Sequence, residues 1–199
     1  MAGGWSLNEL MSFGIAGLAG LVLALDDWRW MLLAWALMGT AGGILLQQAS
    51  EIPEQLAGIQ ILNSTLLTLL FYLTGRRART IAPKTLTARS MIHWRFRILA
   101  ALFLHIIARM AEVRFPLPII PPSLLVVTYT LIGIGLLIAT LSRSPLRAGL
   151  GVLTMLNGYQ IFYLSVQDSL LAIGLMAGMS LLVAFLTAAL TLVRQEVSA

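Results

Sequence analysis

From Leu7 to Val193 the sequence is a succession of apolar runs, each close to the roughly 20 residues an α-helix needs to cross a bilayer, separated by short polar punctuation. None alternates with the period of two that marks a membrane strand, so each run predicts a helix that satisfies its own backbone hydrogen bonds in hydrocarbon. With 59% hydrophobic and 11% charged residues and a mean hydropathy of +0.91, too little polar surface remains to cover a globule in water. The predicted fold is therefore all-α, a polytopic transmembrane helical bundle of about seven spans.

The spans are expected at Leu7 to Leu25, Trp28 to Gln48, Leu56 to Thr74, Ile92 to Val113, Pro122 to Leu141, Leu146 to Ser165 and Ser169 to Val193. Asp26-Asp27, Glu51-Ile52-Pro53-Glu54, Arg143-Ser144-Pro145 and Gln167-Asp168 punctuate the turns. Residues 1–74 thus hold three helices, 75–91 a basic loop, 92–121 a fourth helix and a Pro-rich outer connection, and 122–199 a second three-helix region. Met1 to Asn8 carries no Lys or Arg and no cleavage site follows, so the first helix is read as a retained span.

Of the 13 Lys and Arg, Arg76, Arg77, Arg79, Lys84, Arg89, Arg95 and Arg97 lie in or beside the one long loop, which places that loop in the cytoplasm. With seven spans only Arg109 and Arg114 fall outside. The N-terminus is then outside and the C-terminus cytoplasmic, in a prokaryotic inner membrane. The fourth span leaves an alternative open, because only 11 uncharged residues separate Arg97 from Arg109, short of a span unless the flanking arginines snorkel. As an interfacial helix it would invert every later span and leave three of the 13 basic residues outside.

A shift of 116 positions places Gly20 to Leu25 near Leu136 to Leu141, Asp26 to Trp30 on Ser142 to Leu146, Gly42 on Gly158 and Gly58 on Gly174. Such spacing is what a parallel repeat of three helices would show, with the fourth span as the extra crossing between copies; Gly- and Leu-rich helices also align by chance.

Close helix packing is signalled by Gly39 with Gly43, Gly151 with Gly158, and Gly174 with Gly178. Two polar stripes stand out: Gln60, Ser64 and Thr68 with Asn63 alongside in the third span, and Asn157 with Gln160 in the sixth. Unpaired amides in hydrocarbon are costly, so these faces turn toward other helices, as interhelical hydrogen bonds, or toward a hydrated ion path. His105 is the one ionisable side chain placed deep in a span, either as a neutral hydrogen-bonding group or as a proton relay, and no intramembrane Asp, Glu or Lys is evident as its partner. His93 and His105 lie 12 residues apart, roughly 18 Å along one helix, so they cannot clamp one haem iron. The absence of cysteine removes disulfides, thiolate catalysis and Cys-ligated metals, and no catalytic constellation or phosphate loop is present. No catalytic residue, metal or cofactor is predicted. The eight acidic residues fall at span ends or in loops and read as solvated edge charges. A pI near 10.4 could point to nucleic acid, but the charges sit in short loops as topology signals, so the bilayer is the expected partner.

The last third of the chain has a small apolar fifth span with Gly133 and Gly135, then Ser142-Arg143-Ser144-Pro145-Leu146-Arg147, Gly151, Met155-Leu156-Asn157-Gly158 and a final apolar helix ending at Arg194. From Pro122 to about Gln195 it resembles the conserved membrane region of hydrogenase-4 component E and, more distantly, the NuoK subunit of complex I and the C subunit of Mrp-type cation/proton antiporters. The resemblance implies three consecutive helices with a cytoplasmic first loop, within an accessory membrane-arm subunit of a proton- or cation-translocating complex. Its partners would be other integral membrane subunits. In that pattern a membrane-embedded glutamate commonly precedes the Asn-Gly pair; here Leu156 stands there, and the acidic residue expected in the next helix is missing from Gly174 to Leu190. Two further readings stand beside this one: a free-standing small transporter or channel lined by the polar stripes, and a lipid-binding protein using the basic stretch from Arg76 to Arg97.

Overall fold

Among the described residues the apolar runs fold into seven helices: α1 (Leu7–Ala24), α2 (Trp28–Ala49), α3 (Glu54–Ile81), α4 (Trp94–Arg114), α5 (Pro122–Leu141), α6 (Pro145–Val166) and α7 (Leu170–Glu196). The structure, a computed structural model, describes residues 7–50, 54–81, 93–167 and 169–196. Several starts carry local chemistry. The Asp27 carboxylate accepts from the Arg29 backbone N–H at 3.1 Å, and Ser144 caps α6 with Pro145 in its first turn, where a missing N–H costs nothing.

The expected loop from Gly75 is not a loop at its start. Residues 75–81 continue α3, which has 28 residues, or about 42 Å at 1.5 Å per residue, against roughly 30 Å of hydrocarbon. Arginine is a good helix former and its charge complements a helix C-terminus, so the basic run extends the helix beyond the apolar part. The rest of the basic loop, Lys84 and Arg89 included, lies outside the described residues, as do Glu51 to Pro53 and Asp168.

The helices pack as neighbours in sequence and also across the chain. α1 lies on α2 and α5, α3 on α2 and α7, α6 on α5 and α7, and α4 on α1 and α5. Each helix before α4 touches its counterpart after it: α1 with α5, α2 with α6, α3 with α7. The lengths match too, at 18, 22 and 28 residues against 20, 22 and 27. α4 runs antiparallel along α1, since Arg97 reaches the Leu23 carbonyl at one end while His105 and Arg109 meet the Phe13 ring toward the other.

Five of the seven helices, over Leu7–Ala24, Trp28–Ala49, Gln55–Ala78, Pro122–Leu141 and Leu170–Val193, are long and apolar enough to cross a bilayer, so the chain has the build of a multi-pass membrane protein. Composition alone does not carry the expected fourth and sixth spans. α4 is interrupted by Arg97, His105 and Arg109; α6 is diluted by Arg147, Asn157 and Gln160, and all three of these are turned into the bundle. A helix shielded from lipid by its neighbours need not be apolar all round. α7 shows the opposite case: only 22% of its span-length window is buried, and Leu171, Leu175, Phe185 and Leu190 face outward.

Candidate functional site

Between α2, α3, α6 and α7 lies a core of neutral polar groups. Gln60, Asn63 and Ser64 come from one face of α3, Asn157 and Gln160 from one face of α6, and all five are buried. The Gln60 Nε2 donates to Asn157 Oδ1 at 2.9 Å, tying α3 to α6, and Gln160 Nε2 donates to Ser180 Oγ at 3.2 Å, tying α6 to α7. Thr68 does not extend the stripe across helices, because its hydroxyl donates back to the Ser64 carbonyl at 2.7 Å. A second neutral crosslink sits nearby in sequence: Trp35 Nε1 donates to Thr154 Oγ1 at 3.1 Å, joining α2 to α6. Neither Trp35 nor Thr154 was singled out from the sequence; an indole N–H in a buried span needs an acceptor, which is the signal that points to such a bond.

The amide pair is only half satisfied. Gln60 Oε1 and Asn157 Nδ2 are buried without a partner. Exchanging O and N on both amides reverses the bond and still leaves one donor and one acceptor over. Gln60, Asn63 and Gln160 line a cavity of about 10 Å³, room for the centre of roughly one water. The groups here hydrogen-bond and do not titrate, and among the described residues no carboxylate joins them.

His105 belongs to a different junction, of α4 with α1 and α5. Its Nδ1 is 3.2 Å from Thr130 Oγ1 and its ring stands 5.1 Å from that of Phe13, while Nε2 is buried without a partner.

Four of the six glycines expected at helix contacts are at them. A Cβ on Gly39 would stand 2.5 Å from Ser64 Oγ, one on Gly43 2.8 Å from Ile61, and one on Gly158 2.9 Å from Leu131 Cβ. The Gly151 position is tightest in kind, because its Cβ would meet the Ala139 backbone N at 2.5 Å, and Gly135 opposite meets the Met155 N at the same distance. Gly174 and Gly178 differ: both are on the exposed face of α7 with open space where a side chain would go, so they pack against none of the described helices.

A charged constellation among the described residues is not legible as such in the sequence. Asp26, read from the sequence as a solvated edge charge, accepts a two-pronged bond from Arg97, with Nη1 at 2.8 Å from Oδ1 and Nη2 at 2.9 Å from Oδ2. It also accepts from Arg147 Nη1 at 3.1 Å. Both arginines donate in addition to the Leu23 carbonyl, one of the unpaired acceptors at the α1 C-terminus. The clasp joins α1, α4 and α6 at one end of the bundle. Arg97 is 2% exposed, so it does not itself reach water; its charge is met by Asp26, whose carboxylate stays partly exposed. Hydrogen bonding from Arg97 holds the Asp26 carboxyl below its ordinary value, with Arg147 adding to the effect against the opposing pull of burial.

Fold and sites together define a helical membrane bundle with a neutral polar interior and a charged clasp at one end. Compared with known proteins, the chain matches no family profile, no curated protein and no solved structure.

Proposed function

We propose that the chain crosses the membrane seven times and serves as a non-catalytic accessory subunit of a proton- or cation-translocating assembly of the complex I, group 4 hydrogenase or multisubunit antiporter kind. Two observations support seven crossings. α4 lies antiparallel beside α1, so a bilayer that contains α1 contains α4 at the same depth. The clasp also requires the α1–α2 and α5–α6 turns to share a side; seven crossings give that parity, and an interfacial fourth helix does not. The concentration of basic residues makes this side the cytoplasm, with the N-terminus outside and the C-terminus inside.

The observation that carries the accessory role is the character of the interior. Its polar groups are amides and hydroxyls bonded between helices around a water-sized cavity, and such groups bind helices together without relaying protons. The resemblance of residues 122–195 to membrane-arm subunits supplies the kind of assembly, and the outward apolar face of α7, with Gly174 and Gly178 on it, is a surface on which a neighbouring helix could lie close. The pairing of α1 with α5, α2 with α6 and α3 with α7 favours a second reading, a free-standing transporter built from a parallel repeat.

Liposomes separate the two. The purified chain alone, reconstituted with an internal pH dye and an imposed potassium diffusion potential, is expected to leak protons no faster than protein-free lipid. A potential-driven flux carried by the chain alone would overturn the accessory role and favour the repeat transporter.

A further inference from the structure

Between α1 and α4 an apolar groove of about 310 Å³ opens sideways from the bundle, within the size range of ligand pockets, roughly 300–1,000 Å³. It exists because its floor is built from Ala16, Gly17, Gly20 and Ala101, which leave the two helices close but the space between their side chains unfilled. A Cβ on Gly17 would meet nothing within 4 Å. The groove runs from Leu21 and Ile98, next to the clasp, down to Phe13 and His105, which close it. From Ala24 at the end of α1 to Phe13 is about 16 Å at 1.5 Å per residue, close to half of a hydrocarbon core of roughly 30 Å. Its depth is thus that of one leaflet.

The charge at its mouth is positive. Asp26 is shared by Arg97 and Arg147, so these three groups together carry one net positive charge, with both guanidiniums largely buried behind the part-exposed Asp26 carboxylate. Arg95 stands exposed two residues away, its guanidinium 5.7 Å from the Trp94 ring, an aromatic and a cation at the level where headgroups lie. We infer that the α1–α4 groove is a binding site for an anionic phospholipid, which lays one acyl chain along Gly17 and Gly20 and sets its phosphate against Arg95. This site rests on the reading that α4 lies in the bilayer beside α1.

The test uses the full-length protein in mild detergent, with native mass spectrometry of bound phosphatidylglycerol and of phosphatidylcholine with the same chains. The wild type is expected to keep one phosphatidylglycerol under conditions that strip phosphatidylcholine. Gly17→Leu, which fits the open space, is expected to lower that retention about tenfold with helix content unchanged. Arg95→Gln is expected to reduce the preference for phosphatidylglycerol about fivefold, the fold-change equivalent to ~1 kcal/mol per basic residue near a headgroup. Equal retention of the two lipids by the wild type, or full retention by Gly17→Leu, overturns the site; should Gly17→Leu fail to fold, the Arg95→Gln preference decides. The chain has no cysteine, so Phe103→Cys reports separately on α4: a thiol held in hydrocarbon does not ionise, so maleimide labelling is expected only after denaturation, and labelling by a charged maleimide in intact membranes would refute the placement of α4 instead.

Discussion

Replacing Asp26 with Asn leaves two guanidinium groups facing each other at the clasp with only neutral acceptors, the Leu23 carbonyl and the amide oxygen. Breaking a fully buried ion pair by removing one partner costs about 3–5 kcal/mol, and an exposed pair contributes only about 0–1 kcal/mol. The clasp lies between these limits, since the Arg97 side chain is 3% exposed and that of Asp26 is 44% exposed. A loss of about 2–3 kcal/mol is therefore expected for Asp26→Asn. Arg97→Gln is expected to cost less, about 1–1.5 kcal/mol, because Asp26 keeps Arg147 and its contact with water. In the double variant the stranded cation is gone, so the two costs should not add; a coupling of about 1–2 kcal/mol is expected. Unfolding of the purified protein in mixed micelles at neutral pH, run as a double-mutant cycle, measures it. Additive losses, with coupling under about 0.5 kcal/mol, would show that the clasp is not a stabilising contact. The pH dependence gives an independent sign. Because the folded carboxyl is held below its ordinary value of 3.8, chiefly by Arg97, the contribution is fully present above that value and is lost as the pH falls through the lower folded one. The wild type should therefore lose stability in that acid range more steeply than Asp26→Asn.

Gly151→Ala should destabilise by about 1–3 kcal/mol, since the new Cβ meets backbone that cannot yield, whereas Gly174→Ala, facing open space, should leave the isolated chain unchanged or slightly more stable; thermal unfolding of the two variants compares them. Asn157→Ala should cost about 0.6 kcal/mol and no more than about 1.7 kcal/mol, as interhelical hydrogen bonds in membranes do, and should leave ion pumping per turnover of an assembled complex intact. Single cysteines at Lys84 and near the C-terminus should both be labelled only from the cytoplasmic side, and one after Glu54 only from outside; opposite answers for the first two would mean that the fourth helix does not cross.

Helix positions were readable because the apolar runs and the residues that interrupt them are local signals. Pro122 to Leu141 begins and ends where the pattern predicts, with prolines before it and Ser142 after. The end of α3 was misplaced because a hydropathy reading stops where the membrane stops, while the helix follows propensity through Arg76 and Arg77. Spacing also showed that Gln60 and Asn157 must turn inward, yet nothing in one helix tells which residue on another will meet it; their mutual bond joins positions 97 apart in the chain. The clasp is the same problem in charged form. Asp26, Arg97 and Arg147 each sit at a helix end, where a charge ordinarily meets water, and only the antiparallel packing of α4 on α1 turns Arg97 inward. The glycines show the converse: Gly39 with Gly43 and Gly174 with Gly178 have the same spacing, and only the first pair faces another of the described helices.

Gentle detergent extraction of native membranes followed by native mass measurement tests the accessory role most directly. The chain should run with larger integral membrane subunits of a redox or antiporter assembly, and Gly174→Leu, which leaves the chain's own packing untouched, should weaken that association. An isolated species of 21.6 kDa, unchanged by that substitution, would contradict the account.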